Sequence, residues 1–219
     1  MEYWKSGNSI CLLSLRVDNN KDLGGTILTN YNRNNLLLTG IFLAGLLILI
    51  VVLAEQGRYD YAKNIAVKAS IWTIYSFFEL KYNMTVPNYI RALVMVAVLS
   101  DSFIGLYLNL YVTSSVFDKI QHVYGSYAFS LFAFTILHRL LHPVVSRAFN
   151  CLLVILIGLS IGAVYEIGEF IGDLVARPQV PSQPSLLDTN LDLIADFTGA
   201  LIAAVHVAFF STIGRTFKL

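Results

Sequence analysis

Residues 36–54 read LLLTGIFLAGLLILIVVLA, nineteen residues without a charge. As a helix this run is about 28 Å long, close to the roughly 30 Å hydrocarbon core of a bilayer. A second uncharged run covers residues 151–165. The composition agrees: of 219 residues, 56% are hydrophobic and only 13% are charged, whereas a soluble domain averages about 25% charged. The expected fold class is all-α, a polytopic transmembrane helix bundle. The net charge of +1 provides no bulk field for nucleic acid, so no nucleic-acid partner is expected. The two cysteines, Cys11 and Cys151, form neither a disulfide framework nor a CxxC metal pattern. A cleavable signal peptide is not expected, because the first long apolar run begins only at Leu36 and no small-residue cleavage motif follows it.

Outward from that run, residues 1–35 form a polar tail with an Asn-rich stretch and one short amphipathic turn at 10–15, and residues 36–219 form a single transmembrane domain. Spans are expected at about 36–54, 64–82, 89–111, 120–142, 148–172 and 190–212. The segment 64–82 has an apolar body with Lys63, Lys68 and Glu79 close by. It either spans with its lysines snorkelling or lies in the interface, which gives six helices or five. Pro178, Pro181 and Pro184 make 173–187 an irregular loop. Lysine and arginine bias sets the orientation. With six spans, one side carries Lys5, Arg16, Lys21, Arg33, Lys81, Arg91, Arg139, Arg147, Arg215 and Lys218, and the other only Arg58, Lys119 and Arg177. Five spans give a weaker nine-to-six split, so six are favoured, with both termini cytoplasmic. Either count puts the 112–119 and 173–188 connections on the extracytoplasmic side of the cell membrane.

Three segments near the C-terminus carry acids at helical spacing: Asp118-Lys119-Ile120-Gln121-His122, Tyr165-Glu166-Ile167-Gly168-Glu169, and Asp188-Thr189-Asn190-Leu191-Asp192 continuing to Asp196. A carboxylate held in lipid costs roughly 2.5–3.5 kcal/mol on insertion scales, so these groups should face one another, water or a cation. Residues three or four apart share a helix face. Asp118, His122 and Gly125 form one stripe; Gly158, Gly162, Glu166, Glu169 and Asp173 a second; Asp192, Asp196, Gly199, Ala203 and His206 a third. The small residues in each stripe let membrane helices approach closely. Counting rise along the helices, the acids sort into a mouth (Asp118, Asp173, Asp188), a middle layer (His122, Glu169, Asp192) and a deep layer (Glu166, Asp196), about 10–12 Å from mouth to bottom.

Carboxylates with one imidazole suit a divalent cation such as Mg²⁺, Mn²⁺ or Zn²⁺. The candidate ligands are Asp118, His122, Glu166, Glu169, Asp192 and Asp196. Such an ion can activate water or clamp a phosphate. Without metal, His122, Glu166, Glu169 and Asp192 are candidates for general acid–base work or proton carriage. Lys119 supplies a local counter-charge or meets an anionic headgroup, Asp188 lies at the mouth, and Tyr165 could donate a hydrogen bond into the funnel. The plain alternative is that the acids only pair with Lys119, backbone and solvent. Weaker candidates are His138 and His142 at a helix end, His206 as a packed core histidine, Asp101 in mid-span, and the Asn83-Met84-Thr85 sequon.

The motif Asp118-Lys119-x-x-His122 resembles the Asp-Lys-x-x-His of VanZ-like membrane proteins. Tyr165-Glu166-x-x-Glu169, and Asp188-Thr189-x-x-Asp192 with Gly199-Ala200, resemble the YjdF-like branch more closely. The resemblance covers about 88–212. It implies a small multi-helix membrane protein with the acidic site at its centre. VanZ is linked to teicoplanin resistance, and the YjdF-like branch has no assigned activity to carry over. VanZ-like proteins often have Asn where this chain has Asp196.

Three functions compete. The first is an intramembrane enzyme, metal-dependent or acid–base, acting on a lipid or lipid-linked substrate at the outer leaflet. The second is a proton- or cation-coupled transporter. The third is a non-catalytic membrane partner or resistance-type protein. Polar groups are scarce beneath Glu166 and Asp196, which favours the enzyme.

Overall fold

The computed structural model describes residues 33–209 apart from 83, 85, 115, 142–145 and 179–180. Most of the tail, including the turn expected at 10–15 and Cys11, lies outside the described residues, as do His142 and the Asn83 and Thr85 of the sequon. Every regular element among the described residues is helical: α1 (Arg33–Glu55), α2 (Tyr59–Tyr82), α3 (Asn88–Leu99), a π-helical continuation of α3 (Ser100–Tyr107), α4 (Leu110–Thr113), α5 (Phe117–Leu141), α6 (Arg147–Ala176) and α7 (Leu186–Phe209). The protein is an all-helical membrane bundle.

Four of these units are long and apolar enough to cross a bilayer: α1, α3 with its π-helical continuation, α6 and α7. α2 and α5 are as long, at 24 and 25 residues, but more polar. The outer face of α2 is nonetheless apolar, with Val67, Ile71, Ile74 and Phe78 exposed at helical spacing. Patches of this size on a soluble monomer are rare, so a lipid environment accounts for them. Lys68 does not snorkel. It forms an ion pair with Asp101 of the π-helical segment, and Tyr111 donates to the other oxygen of Asp101 at 2.8 Å.

The third span is shorter than 89–111. The helix widens at Ser100, ends at Tyr107, and reverses at Asn109, whose φ of 66° is left-handed. The reversal folds Tyr111 back against Gly105, where a β-carbon would meet the tyrosine ring at 2.2 Å. The return of Tyr111 to Asp101 therefore needs both a residue tolerant of the left-handed region and a glycine opposite it.

Turns and caps fix the ends of the helices. Gly57, at φ 74°, turns α1 into α2. Arg58 beside it donates to the carbonyls of Leu106 (2.6 Å) and Tyr107 (3.0 Å), which close the π-helical segment. Ser146 caps α6 by accepting from the Phe149 N–H. Asp173 accepts the N–H groups of Ser182 and Gln183 at 2.9 and 2.8 Å, folding the proline-rich loop back over the end of α6.

One apolar core joins Phe42, Leu46 and Leu53 of α1 to Ile65 and Trp72 of α2 and Val94 of α3. A second joins Ile90, Leu131, Phe134, Val154, Ala203 and Val207 across α3, α5, α6 and α7. Trp72 of α2 stacks on Phe132 of α5, Tyr75 meets the same ring edge-to-face, and together they link the two. The site lies where α5, α6 and α7 pack on one another.

Candidate functional site

Small residues set how closely those three helices approach. A β-carbon on Gly162 of α6 would meet the Asp196 carboxylate at 2.3 Å, and one on Gly158 would meet Ala200 at 2.5 Å. On Gly199 of α7 it would meet the Val123 carbonyl of α5 at 2.2 Å. Without these glycines, α7 could not lie against both neighbours. Gly125, expected to share this role, has open space beside it. The face of α5 continues from His122 through Ser126 and Ser130, both buried, and Ser126 donates to the Asp196 carbonyl at 2.7 Å.

The result is a layered acidic site. At the top, Lys119 Nζ lies 3.0 Å from Asp118, 2.6 Å from Asp188, and 2.7 and 2.8 Å from the two oxygens of Asp192. Lys119 is therefore an internal counter-charge that crosslinks α5 to α7. Below it, His122 Nε2 is 3.7 Å from a carboxylate oxygen of each of Asp118, Glu166 and Asp192. On its other side, Nδ1 is 3.3 Å from Asp196. His122 is 7% exposed, Glu166 4%, Asp192 2% and Asp196 4%. Bare carboxylates this deeply buried are costly unless a proton, a cation or hydrogen bonds compensate them.

Glu166 is the least compensated. Its Oε2 and its backbone carbonyl both accept from the Gln183 side chain at 2.7 Å. Its Oε1 is buried with no hydrogen-bond partner and faces His122. Tyr165 lies edge-to-face with the His122 ring, centroids 5.6 Å apart. Glu169, one turn along from Glu166, is half-buried.

Two sets of side chains offer ligand atoms all within 4.8 Å of one another: Asp118, His122 and Asp192, and His122, Glu166 and Asp196. Glu169 belongs to neither. The first set already holds Lys119; the second holds the unpartnered Glu166 oxygen. Gln183 is the site residue that sequence patterning missed, because it lies in an irregular loop with no periodicity. Ser126 was missed as well, although its place one turn beyond His122 on the same face is a signal that finds it.

The other candidates fall elsewhere. His206 accepts or donates through Nδ1 to Tyr127 at 2.9 Å and stacks on Tyr89, so it is part of the packing. His138 packs against Phe134. Beside the mouth, an apolar groove of about 430 Å³ runs from Lys119 along Ile120, Val123, Tyr124, Tyr127 and Ile202.

Residues 35–212 match the family described as predicted membrane protein DUF2238. The chain is also 30% identical over 145 residues to an uncharacterised protein of Thermotoga maritima, an alignment covering 64% of this chain and 72% of that relative. No solved structure matches it. With the match running across every long helix of the bundle, the chain belongs to the DUF2238 family of membrane proteins.

Proposed function

We propose that the protein is an intramembrane enzyme that acts on a lipid or lipid-linked substrate, with His122 and the carboxylates around it as its reacting groups. The observation that carries this reading is the His122 ring, with Asp196 against Nδ1 and carboxylate oxygens of Asp118, Glu166 and Asp192 around Nε2. A carboxylate on one imidazole nitrogen fixes ring orientation and tautomer and leaves the other nitrogen to exchange a proton or, with an ion present, to ligate it. Glu166 and Asp192 are its nearest buried exchange partners, and Glu169 can pass protons between this centre and the mouth. The groove beginning at Lys119 favours an amphiphile, because a chain lying along Ile120, Val123 and Tyr127 would bring its polar end to the acidic mouth.

In this reading all six long helices cross the membrane, and lysine and arginine bias places the mouth on the extracytoplasmic side. The resemblance of the three motifs to VanZ-like and, more closely, YjdF-like proteins supports a relationship with those families. A proton- or cation-coupled transporter is the second reading, favoured by the buried hydroxyls of Ser126, Ser130 and Thr135 beneath the site. Ser130 and Thr135, however, donate to carbonyls of their own helix, so they offer no free relay toward the other side.

The test is a comparison of membrane lipids and lipid-linked intermediates from cells expressing wild-type protein or Glu166→Gln at equal levels. A species made or consumed only with wild type is expected. Identical profiles, together with a proteoliposome cation or proton flux that Asp196→Asn abolishes, would replace the enzyme with the transporter.

A further inference from the structure

We infer that His122, Glu166 and Asp196 form a binding site for one divalent metal ion of the Mn²⁺ to Zn²⁺ class. The inference deepens the enzyme reading and rests on it for what the ion would do, but not for whether the ion binds.

Charge is the first consideration. Asp118, Glu166, Asp188, Asp192 and Asp196 converge within a few ångströms of His122 or Lys119, and Lys119 is their only lysine or arginine ion-pair partner among the described residues. That lysine is committed to the upper acids. Its ammonium contacts Asp118, Asp188 and both oxygens of Asp192. The lower pair, Glu166 and Asp196, has no lysine or arginine, only the His122 ring between them.

Partnering is the second, independent consideration. Glu166 Oε1 is buried, has no hydrogen bond, and is aimed at His122, while Oε2 is held by Gln183. Buried polar atoms are satisfied in the great majority of cases, and an exception calls for an unseen partner. A proton on the ring could face this oxygen, but the 3.7 Å separation is too long for a hydrogen bond.

Geometry is the third. The ligand atoms of this set lie within 4.8 Å of one another. An ion about 2.0–2.2 Å from each donor needs them roughly 3–4 Å apart. Asp196 faces Nδ1 and Glu166 faces Nε2, so one ring nitrogen takes the ion and the carboxylate at the other nitrogen must swing round to the same side. One imidazole among two carboxylates favours Mn²⁺ or Zn²⁺ over Ca²⁺ or Mg²⁺, which prefer all-oxygen sites. The upper set, Asp118, His122 and Asp192, is the inferior site because an ion there would have to displace or repel Lys119. Gln183, by fixing Oε2, acts as a positioning residue that leaves Oε1 free for the ion.

The experiment is equilibrium dialysis of the purified full-length chain in detergent, after chelator treatment, against Mn²⁺ and Zn²⁺ in separate runs, with bound metal measured by emission spectroscopy. One ion per folded chain is expected. Glu166→Gln and Asp196→Asn should each weaken binding at least tenfold, while Asp118→Asn changes it less than about threefold. Loss in Asp118→Asn but not in Glu166→Gln would move the ion to the upper set and overturn the assignment. Wild type that binds neither ion overturns it outright. If Glu166→Gln fails to fold, Glu166→Asp and the melting temperature of wild type with and without each ion decide: no shift with either ion counts against the site. A bound ion with identical lipid profiles would sink the enzyme reading and leave the metal site standing. No ion, with a lipid difference that Glu166→Gln abolishes, would do the reverse.

Discussion

The two ends of the bundle bury charge in opposite ways. At the end where α2 meets α3, Glu79 and Arg91 are both fully buried and pair with one another, and Glu79 also accepts the Val86 N–H. At the end where α5, α6 and α7 meet, five carboxylates share one lysine and one histidine. The first arrangement is balanced and closed, as expected of a pair that fixes how elements dock. The second is unbalanced, with more acids than cations; two of its buried carboxylate oxygens lack a hydrogen bond, Asp192 Oδ1 beside Lys119 and Glu166 Oε1, which no lysine or arginine approaches among the described residues. Gathered like charges repel, and that cost is what the proposed ion would offset. The Lys68–Asp101 pair, with its tyrosine donor, is of the balanced kind and belongs to the architecture.

The contrast can be broken experimentally. The largest effect is expected for Arg91→Met, which removes the guanidinium paired with buried Glu79 and should cost about 3–5 kcal/mol. Melting followed by circular dichroism in detergent reads this directly. An unchanged melting temperature would mean that the balanced pair is not structural. Next is Gly199→Ala, whose added carbon would meet a backbone carbonyl of α5. Overpacking of this kind costs about 1–3 kcal/mol, and the same melts should show it as a lowered melting temperature. The smallest effect, of opposite sign, is expected for Asp196→Asn in metal-free protein. The change preserves shape while removing one like charge, so stability should hold or rise by up to about 1 kcal/mol. A loss as large as that of Arg91→Met would make the acidic cluster as structural as the ion pair and remove the distinction.

The same contrast bears on Lys119. Asp118, Asp188 and Asp192 are compensated by it, so the plain alternative of simple charge pairing describes these three well. It does not describe Glu166 and Asp196, which the lysine does not reach. The uncompensated charge therefore lies deeper than the most charged layer.

The sequence by itself determined the helical membrane class, because an uncharged run of nineteen residues admits no other economical fold. It also indicated which side chains share a face, since helical spacing placed Asp118 with His122, Glu166 beyond Gly162, and Asp196 beyond Asp192. Periodicity is a local property, and it survives whatever the helices later pack against. Several features depended on contacts between segments distant in the chain, and only the tertiary structure decided them. Lys119 reaches acids about seventy residues away, Lys68 turns inward to Asp101, and a left-handed Asn109 ends the third helix early. Gln183 reaches Glu166 from a loop whose path is fixed by Asp173 rather than by any repeat. Which carboxylate keeps a free oxygen is decided the same way, because it depends on how far each cation and amide can reach once three helices are in place.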